Sequence, residues 1–434
     1  MGSPSATVDL ERLERDAVGY FLRTTNPDNG LVADSTAPGA PCSIAATGLG
    51  LACWVVAAER GYVPRGEAVA RTLAALRFFR DSPQGEEPDA TGHEGFYYHF
   101  LDMQTGRRVW DCELSMMDTA ILVAGALTGG SYFTGAGADE REVRELSREL
   151  YERIDWPWAL NGGTVLSMGW KPGRGFLRYC WEGYSEALML YVLGLGSPAS
   201  PLPSESYHGW TRTYHWEHLY GFDLLFGAPL FVHQLSHVWI DLRGIRDAFM
   251  REKGTDYFEN SRRAVAVQQQ YAVRNPKWFE AYGERCWGIT ACDGPGFTKQ
   301  PAEGGVERQF YGYVARGVPF GPDDGTLSPW ATAASLPFDP ERVTDALRHI
   351  LSAHPDSLSP DGLLTTFNPT FDPGDGGRGW RSTTHLGLDQ GPVALMLENH
   401  RSELHWKVIR GCAPIAGGLR RAGFRGGWLG GGLR

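Results

Sequence analysis

Long apolar stretches are missing from this 434-residue chain. No run of about 18 apolar residues occurs, so no membrane-spanning helix is predicted. The first residues, MGSPSATVDLERLERD, contain no hydrophobic segment of the kind that a signal peptide needs. As written, the sequence indicates a cytoplasmic protein, or a periplasmic or secreted one if an export signal has been removed.

Positive charge is also in short supply. The chain has 41 Lys and Arg against 51 Asp and Glu, a formal net charge of -10, and no basic stripe. This balance excludes nucleic acid as an expected partner and disfavours anionic partners in general.

Metal-binding and cofactor-binding motifs are missing as well. None of the seven cysteines has a zinc-type spacing, and no P-loop or dinucleotide fingerprint fits its required context. The segment FVHQLSHVWIDLRG predicts a helix with His233, His237 and Asp241 on one face. Because no adjacent acid or cysteine completes a metal set, we interpret them as buried hydrogen-bonding groups or sugar contacts, with Arg243 pairing Asp241. We therefore predict neither a metal nor a cofactor.

Aromatic residues and glycine, by contrast, are plentiful. Aromatic residues make up 12% of the chain, which includes 15 Trp and 56 Gly. Tryptophans that a core does not need often form flat platforms for sugar rings, whereas a large core also uses Trp as filler. Composition alone leaves both interpretations open.

Two kinds of helix are predicted, and they alternate along the first 195 residues. The first kind is apolar on nearly all sides and must be buried, at residues 43–58, 114–127, 187–195 and 392–397. The second kind is amphipathic, at residues 10–22, 64–80, 139–154, 259–273 and 340–351. Inner helices wrapped by outer helices would produce this alternation, so we predict an all-α fold, an (α/α)6 toroid. No linker divides the chain, which indicates one domain over residues 1–434.

Acidic residues collect where long loops enter the buried helices. Those in the segments DCELSMMD, CWEGYSEALMLYVLGLGSP and LGLDQGP are Asp111, Glu113, Asp118, Glu182, Glu186 and Asp389; further loop acids are Asp293, Asp323 and Asp324. The four-residue spacing of Glu182 and Glu186 predicts one helix face. Carboxylates that converge from several helices suit glycoside cleavage, which needs one protonated acid and one ionised base or nucleophile.

Helix capping explains a single acid in a first helical turn equally well. Asp118 and Glu186 are harder to explain in that way, since each lies within or beside a buried apolar run. A lone acid is costly there without a partner or a task.

Eight segments of the sequence carry a resemblance to a known family. They are SIAATGLGL, YYHFLDMQTG, ELSMMDTAILVAGAL, WEGYSEALMLYVLGLGSP, HQLSHVWIDLRG, DYFENSRRA, DDGTLSPWATAASLPF and LGLDQGPVALMLENHRS. In this order, over about residues 8 to 425, they resemble the bacterial glucoamylase-like domain. That family includes β-1,2-glucan hydrolases and a related domain of cyclic β-1,2-glucan synthases. The resemblance implies an (α/α)6 barrel and metal-independent action on β-1,2-glucan.

The resemblance also implies roles for single residues. The string Gly-Tyr-Ser-Glu at residues 183–186 matches the family's Gly-Tyr-(Asn/Ser)-Glu motif, so Glu186 is the expected general acid. Asp118 or Glu113 is the expected base or nucleophile. The endo-glucanases carry Glu before Thr-Ala where this chain has Asp118, so the partner acid and the stereochemical course stay open.

The remaining candidates surround these three acids. Asp111 and Glu182 are expected to tune pKa values or to form hydrogen bonds. Substrate contacts are expected from Trp110, Trp170, Trp181, Tyr184, His237, Asp241 and Asp389.

The sequence thus predicts a glycoside hydrolase or transglycosylase whose partner is a β-linked glucan, most simply β-1,2-glucan. Two alternatives stay open. A polysaccharide lyase on the same toroid would use Tyr184, His237 and Arg243, although an acid-rich cleft should repel uronates. A glycan-binding module without catalysis, the remnant of a larger synthase, would bind β-1,2-glucan and release no sugar.

Overall fold

A computed structural model describes residues 8–302, 307–359, 361–374 and 379–430 of the chain. The protein is about 46% helical, with fifteen α-helices in the described residues and only short strands. This content agrees with the all-α class predicted from the sequence.

The helices are numbered in chain order. They are α1 Leu10–Thr24, α2 Ile44–Glu59, α3 Arg65–Asp81, α4 Met116–Tyr132, α5 Ala138–Glu152, α6 Leu188–Gly196, α7 Ser204–Thr211, α8 Leu235–Trp239, α9 Ala248–Glu252, α10 Tyr257–Arg274, α11 Pro329–Ala334, α12 Pro340–Ala353, α13 Gly387–Ser402, α14 Leu404–Arg410 and α15 Ala413–Arg421. Single 3-10 turns lie at Trp158–Leu160, Leu230–His233, Pro355–Ser357 and Gly427–Gly430.

The strands lie in the loops between helices and span two to four residues each. They are β1 Cys42–Ser43, β2 Gly92–His93, β3 Phe96–Tyr98, β4 Phe100–Leu101, β5 Leu114–Ser115, β6 Gly169–Lys171, β7 Gly175–Phe176, β8 Trp216–Leu219, β9 Phe222–Leu225, β10 Ile245–Arg246, β11 Ala291–Cys292, β12 Thr298–Pro301, β13 Glu307–Phe310, β14 Val314–Ala315, β15 Leu358–Ser359, β16 Gly362–Leu363, β17 Phe367–Asn368, β18 Trp380–Arg381 and β19 Arg425–Gly426. The largest sheet is antiparallel, in the order β2-β3-β5-β6-β7, and the other strands pair in twos.

All nine predicted helices are present, as α1 to α6, α10, α12 and α13. The apolar helices α2 and α4 begin at serine N-caps, where Ser43 and Ser115 each accept a backbone N–H from the first turn. Every residue of α2 from Ile44 to Ala57 is buried. The amphipathic helices α1, α5 and α12 bury one face and expose a charged one.

Three details of the helix prediction are wrong. Helix α13 begins at Gly387, so Pro392 lies inside it rather than at its start. Helix α6 begins only at Leu188, so Glu182 and Glu186 precede it and do not share a helix face. The segment 230–241 is broken into a 3-10 turn and the five-residue α8, so His233, His237 and Asp241 do not lie on one helical stripe.

The buried helices approach each other closely because glycines lie at their crossings. A Cβ atom at Gly125 of α4 would lie 2.0 Å from the carbonyl oxygen of Gly48 of α2. At the contact of α6 and α15, a Cβ atom at Gly418 would lie 1.9 Å from the carbonyl oxygen of Val192. Any larger residue would force these backbones apart.

The N-terminal ends of the buried helices meet at one end of the molecule. Strand β1, just before α2, pairs with β4, while β5, just before α4, pairs with β3 and β6. Ser236 of α8 donates a hydrogen bond to the carbonyl of Glu186, two residues before α6, and Gln234 donates to Ala331 of α11. The backbone N–H of Gly387, the first residue of α13, donates to Asp34 (2.9 Å), in the segment that leads to α2. The loops that carry the predicted acids therefore share this end.

Among the described residues, the helices are all too short or too polar to cross a membrane.

Candidate active site

Glu186 lies in the turn immediately before α6, at the mouth of that buried helix. The chain turns at Gly183, whose φ is +80°, and Ser236 holds the backbone carbonyl of Glu186 with a 3.0 Å hydrogen bond. Burial, and after it the nearby charge of Asp118, raise the pKa of Glu186 to about 7. A carboxyl group with this pKa holds a proton near neutral pH, as a general acid must.

Glu113 and Asp118 are joined by a histidine that sequence reasoning missed. His99 Nδ1 lies 2.9 Å from Glu113 Oε1, and its Nε2 lies 3.7 Å from Asp118 Oδ1. The hydrogen bond to His99 lowers the pKa of Glu113. Asp118, in the first turn of α4, also accepts a hydrogen bond from the hydroxyl of its N-cap Ser115. Glu113 and Asp118 are therefore each held by a neighbouring donor group, His99 and Ser115 respectively.

Three more acids approach the same place. Burial raises the pKa of Asp34 to about 6, against the lowering effect of His99 and with a further rise from Asp118 and Asp293. Burial also raises the pKa of Asp293, and it raises that of Asp389 well above its usual range, with Asp293 and Asp34 adding to it. The pKa values of all three acids are therefore raised, in contrast to that of Glu113.

A small cavity of about 140 Å³ lies between Glu186 and Asp389. Its walls include Gln234, Tyr313 and Trp330. Within the described part of the chain, three polar atoms of its lining have no hydrogen-bond partner: Asp389 Oδ2, Gln234 Oε1 and Trp330 Nε1. Polar atoms left unpaired inside a protein are costly, so their presence here fits a site that pairs them with a bound ligand.

Two of the predicted acids lie away from the cluster, at the surface. Glu182 is exposed and forms a 2.9 Å ion pair with Arg212. Asp111 is exposed and binds Lys171 and Arg174 at 3.1 and 2.9 Å, and the hydrogen bond to Lys171 lowers its pKa. Neither contacts Glu186.

The predicted aromatic platforms differ in exposure. Trp110 is 70% exposed, and its ring lies 5.0 Å from that of Phe100, next to His99. Trp170 is buried and stacks on His93, and Trp181 is half-buried against the core. The ring of Tyr184 packs between Tyr214, Tyr257 and His233. Trp110 is the one of these four with an open face.

The structure does not bring His237 and Asp241 to the cluster. His237 is buried, accepts or donates a 3.0 Å hydrogen bond with Ser261, and has a pKa lowered by burial to about 3. Asp241 lies beyond the C-terminal end of α8 and binds Arg243 at 2.7 Å, as predicted, and also Arg410. Both residues are enclosed in contacts within the protein.

The loop acids Asp323 and Asp324 also form contacts with other side chains of the protein. Asp323 accepts hydrogen bonds from Tyr271 and Tyr282, both at 2.7 Å, and Asp324 forms a fully buried ion pair with Arg316. In the described ranges, no group of three or more His, Cys, Asp or Glu residues has the arrangement of a metal site.

Comparison with known proteins gives a consistent picture. A family model described as "Putative glucoamylase" matches residues 178–413, more than half of the chain. The chain is 26% identical over 449 aligned positions to an exo β-1,2-glucooligosaccharide sophorohydrolase (non-reducing end) from Parabacteroides distasonis. The alignment covers 95% of this chain and 57% of that protein, so the chain spans little more than half of its relative's length.

Solved structures show the same architecture. The endo-β-1,2-glucanase from Chitinophaga pinensis, crystallised with sophorotriose and glucose, is 25% identical with a TM-score of 0.84, over 97% of this chain and 98% of that one. The β-1,2-glucanase from Parabacteroides distasonis is 24% identical with a TM-score of 0.83, over 95% of this chain and 59% of that one.

Proposed function

Since the chain belongs to the glucoamylase-like family whose model covers residues 178–413, we propose that it is a glycoside hydrolase that cleaves β-1,2-linked glucan. The observation that carries the proposal is the contrast within one acid cluster. Glu186 holds a proton near neutral pH, whereas Glu113 is ionised beside His99. Glycoside cleavage needs this division of labour. The β-1,2 linkage in this proposal comes from the relatives named above, whose names specify β-1,2-linked glucose.

We propose Glu186 as the general acid, which gives its proton to the glycosidic oxygen as the bond from the anomeric carbon to that oxygen breaks. Asp118 is proposed as its partner ahead of Glu113, because Asp118 is the acid whose charge acts on Glu186. In the hydrolytic reaction, water attacks the anomeric carbon and its proton passes to Asp118. Glu113 accepts the hydrogen bond of His99, whose other ring nitrogen lies 3.7 Å from Asp118.

The cavity beside Glu186 is proposed to hold a sugar ring. Burial raises the pKa of Asp389 well above its usual range, which favours the protonated carboxyl group, and that form can donate a hydrogen bond to a sugar hydroxyl. Gln234 and Trp330 offer an acceptor and a donor at the same walls. Trp110, at the open side of Phe100, is proposed as a platform for a more distant ring.

For the architecture, we propose an (α/α)6 toroid that forms one domain over about residues 8 to 425. Six helices with buried N-terminal ends, α2, α4, α6, α8, α11 and α13, would form the inner ring. Their successive contacts support this arrangement, and α13 returns to pack against α2 and α1. The N-terminal ends then point at the acid cluster.

The proposal is tested with a panel of β-1,2-, β-1,3- and α-1,4-glucans, whose products are separated by thin-layer chromatography. We expect release of short oligosaccharides from β-1,2-glucan alone. The Glu186→Gln variant should lose at least about a thousand-fold in kcat with its fold intact, within the range that a general acid contributes. The matched control is Glu182→Gln, four residues away and paired with Arg212 at the surface, which should keep parental activity.

Two results would contradict the assignment. If Glu186→Gln hydrolysed β-1,2-glucan as fast as the parent, Glu186 would not be the general acid. If the parent bound β-1,2-glucan in calorimetry but released no sugar over long incubation, the chain would be a binding module rather than a hydrolase.

A further inference from the structure

His99 occupies a backbone position that is fixed from two sides. It lies between β3 and β4, its N–H donates to the carbonyl of Glu113 (3.0 Å), and its carbonyl accepts from the N–H of Ile44 at the start of α2 (3.3 Å). Its ring lies flat against that of Phe100, with centroids 4.0 Å apart and planes 11° apart. The plane of the imidazole is therefore set before any substrate binds.

The two ring nitrogens of His99 face two different carboxylates. Nδ1 lies 2.9 Å from Glu113, on the loop before α4, and Nε2 lies 3.7 Å from Asp118, in the first turn of α4. A neutral imidazole has only one N–H, so it can donate to one of the two acids. The imidazolium carries N–H groups on both nitrogens, so it can hydrogen-bond Glu113 and at the same time form an ion pair with Asp118.

We propose that His99 is a positioning residue of the candidate active site, whose imidazolium ring clamps Glu113 and Asp118 and holds both carboxylates in place opposite Glu186. The inference rests on the proposed function for its catalytic meaning, but the charge and geometry of the clamp can be measured without it. His99 does not contact the reacting atoms in this proposal. It acts through the two carboxylates that it holds.

The charged surroundings of His99 are consistent with a stable cation. Burial lowers its pKa, but Asp118, Glu113 and Asp34 outweigh that effect and raise the pKa to about 9. Two other cations lie near the cluster, and each is already paired with another acid. Lys171 lowers the pKa of Glu113 but forms its ion pair with Asp111. Arg316 lowers the pKa of Asp293 but forms its ion pair with Asp324. Asp118 thus depends on His99 for its nearest positive charge among the described residues.

The clamp accounts for the ionised acid in this cluster. Glu113, which is hydrogen-bonded to His99, has a lowered pKa, whereas burial raises the pKa values of Asp34, Glu186 and Asp389. Without the cation, Glu113 would lose the hydrogen bond that lowers its pKa, and the carboxylates of the cluster would repel one another more strongly.

The first test measures the pH dependence of hydrolysis in two variants. His99→Asn keeps a donor near Nδ1, and His99→Gln keeps one near Nε2, but neither carries a charge. For both we expect kcat to fall about 10- to 100-fold with KM changed less than about threefold. The acidic limb of the kcat profile should move to higher pH by about one unit or more. His218→Asn is the matched control, since His218 forms an exposed 2.8 Å pair with Asp223, and its profile should stay parental.

The second test needs no substrate. In protein with isotope-labelled histidine, the ring resonances of His99, assigned by their loss in His99→Asn, should report an imidazolium up to pH 8 with a midpoint of about 9. In Asp118→Asn and in Glu113→Gln that midpoint should fall. A midpoint at or below 6.5, or one that neither substitution moves, would overturn the proposal.

The two tests separate the possible failures. If the parent does not cleave β-1,2-glucan but the resonances behave as expected, the proposed function fails and the clamp stands. If the parent cleaves the glucan and His99→Asn, folded by its unfolding temperature, keeps the parental profile, the clamp fails and the proposed function stands.

Discussion

Glu186 is a residue that costs the protein stability at the pH where it is proposed to act. Its folded-state pKa of about 7 lies above the unfolded value of 4.5 because burial disfavours the charged form. Between these two pH values the unfolded chain releases the proton first, so the contribution of Glu186 to stability decreases as the pH rises. The cost is complete above pH 7.

We therefore expect Glu186→Gln to be more stable than the parent at pH 8, by on the order of 1–3 kcal/mol, and to show little gain at pH 5. Urea unfolding at both pH values measures the difference. Glu182→Gln, which removes an exposed ion pair, should change stability by less than about 1 kcal/mol at either pH. An equal gain for Glu186→Gln at pH 5 and pH 8 would show that burial of the charge is not its origin.

Single residues were predictable from the sequence where a local pattern exposed them. Glu186 and Asp118 stood out because an acid beside a long apolar run needs a reason. Asp34 and His99 had no such signal: each lies in a loop, and only the folded chain brings them to Asp118. The weak clue for His99 was its place in YYHFL, next to Phe100, against whose ring it stacks.

The lyase alternative is disfavoured at the same scale. Its three candidate residues do not converge: Tyr184 faces His233 (3.4 Å), His237 faces Ser261, and Arg243 is bound to Asp241. A proton-abstracting site would need them around one substrate carbon.

At the scale of helices, two neighbouring glycines in α15 differ in the space available for a larger side chain. A Cβ atom at Gly418 would lie 1.9 Å from the carbonyl oxygen of Val192 in α6, whereas one at Gly417 would meet no atom within 4 Å. Gly417→Ala should therefore stabilise the protein by about 0.5–1 kcal/mol, because alanine favours the helix. Gly418→Ala should destabilise it by about 2 kcal/mol or more, because α6 and α15 must separate.

Thermal and urea unfolding of the two variants, which share chemistry and helix, gives the comparison directly. Equal effects would mean that the contact of α6 with α15 adapts without cost.

Long helices were readable from the sequence, and short elements were not. Helices α2 and α4 show long, mostly apolar runs, and α1, α5 and α12 show amphipathic periodicity over about four turns. Helices α8 and α11 have five and six residues, too few to show a period. Their helical form depends on neighbours, such as the hydrogen bonds from Gln234 to Ala331 and Ser335. The short strands depend on their partners in the same way.

At the scale of the whole molecule, negative charge should select the substrate. The chain has a net charge of -10, and the candidate site contains Glu113, whose lowered pKa keeps it ionised. A neutral β-1,2-glucan should be accepted, whereas a glucan that carries succinyl groups should meet repulsion. We expect KM for the succinylated glucan to be about five- to tenfold higher at low salt, and the gap to narrow as salt screens the charges.

Steady-state kinetics at about 0.02 and 0.5 M sodium chloride measure this effect. A neutral, hydroxyethylated glucan of equal substitution is the control for bulk. If the succinylated and hydroxyethylated polymers had the same KM at low salt, steric hindrance rather than charge would set the preference.

The contact of α13 with α1 and α2 has a consequence for when the protein becomes active. Asp34 lies ahead of α2, and Asp389, which shares its cluster, lies in α13 near the other end of the chain. A nascent polypeptide still held at the ribosome, or a fragment that stops before α13, would carry Glu186 but lack Asp389 and the wall that α13 gives to the cavity. Hydrolysis should therefore begin only after synthesis has passed α13, which makes sugar release a direct assay of completed folding.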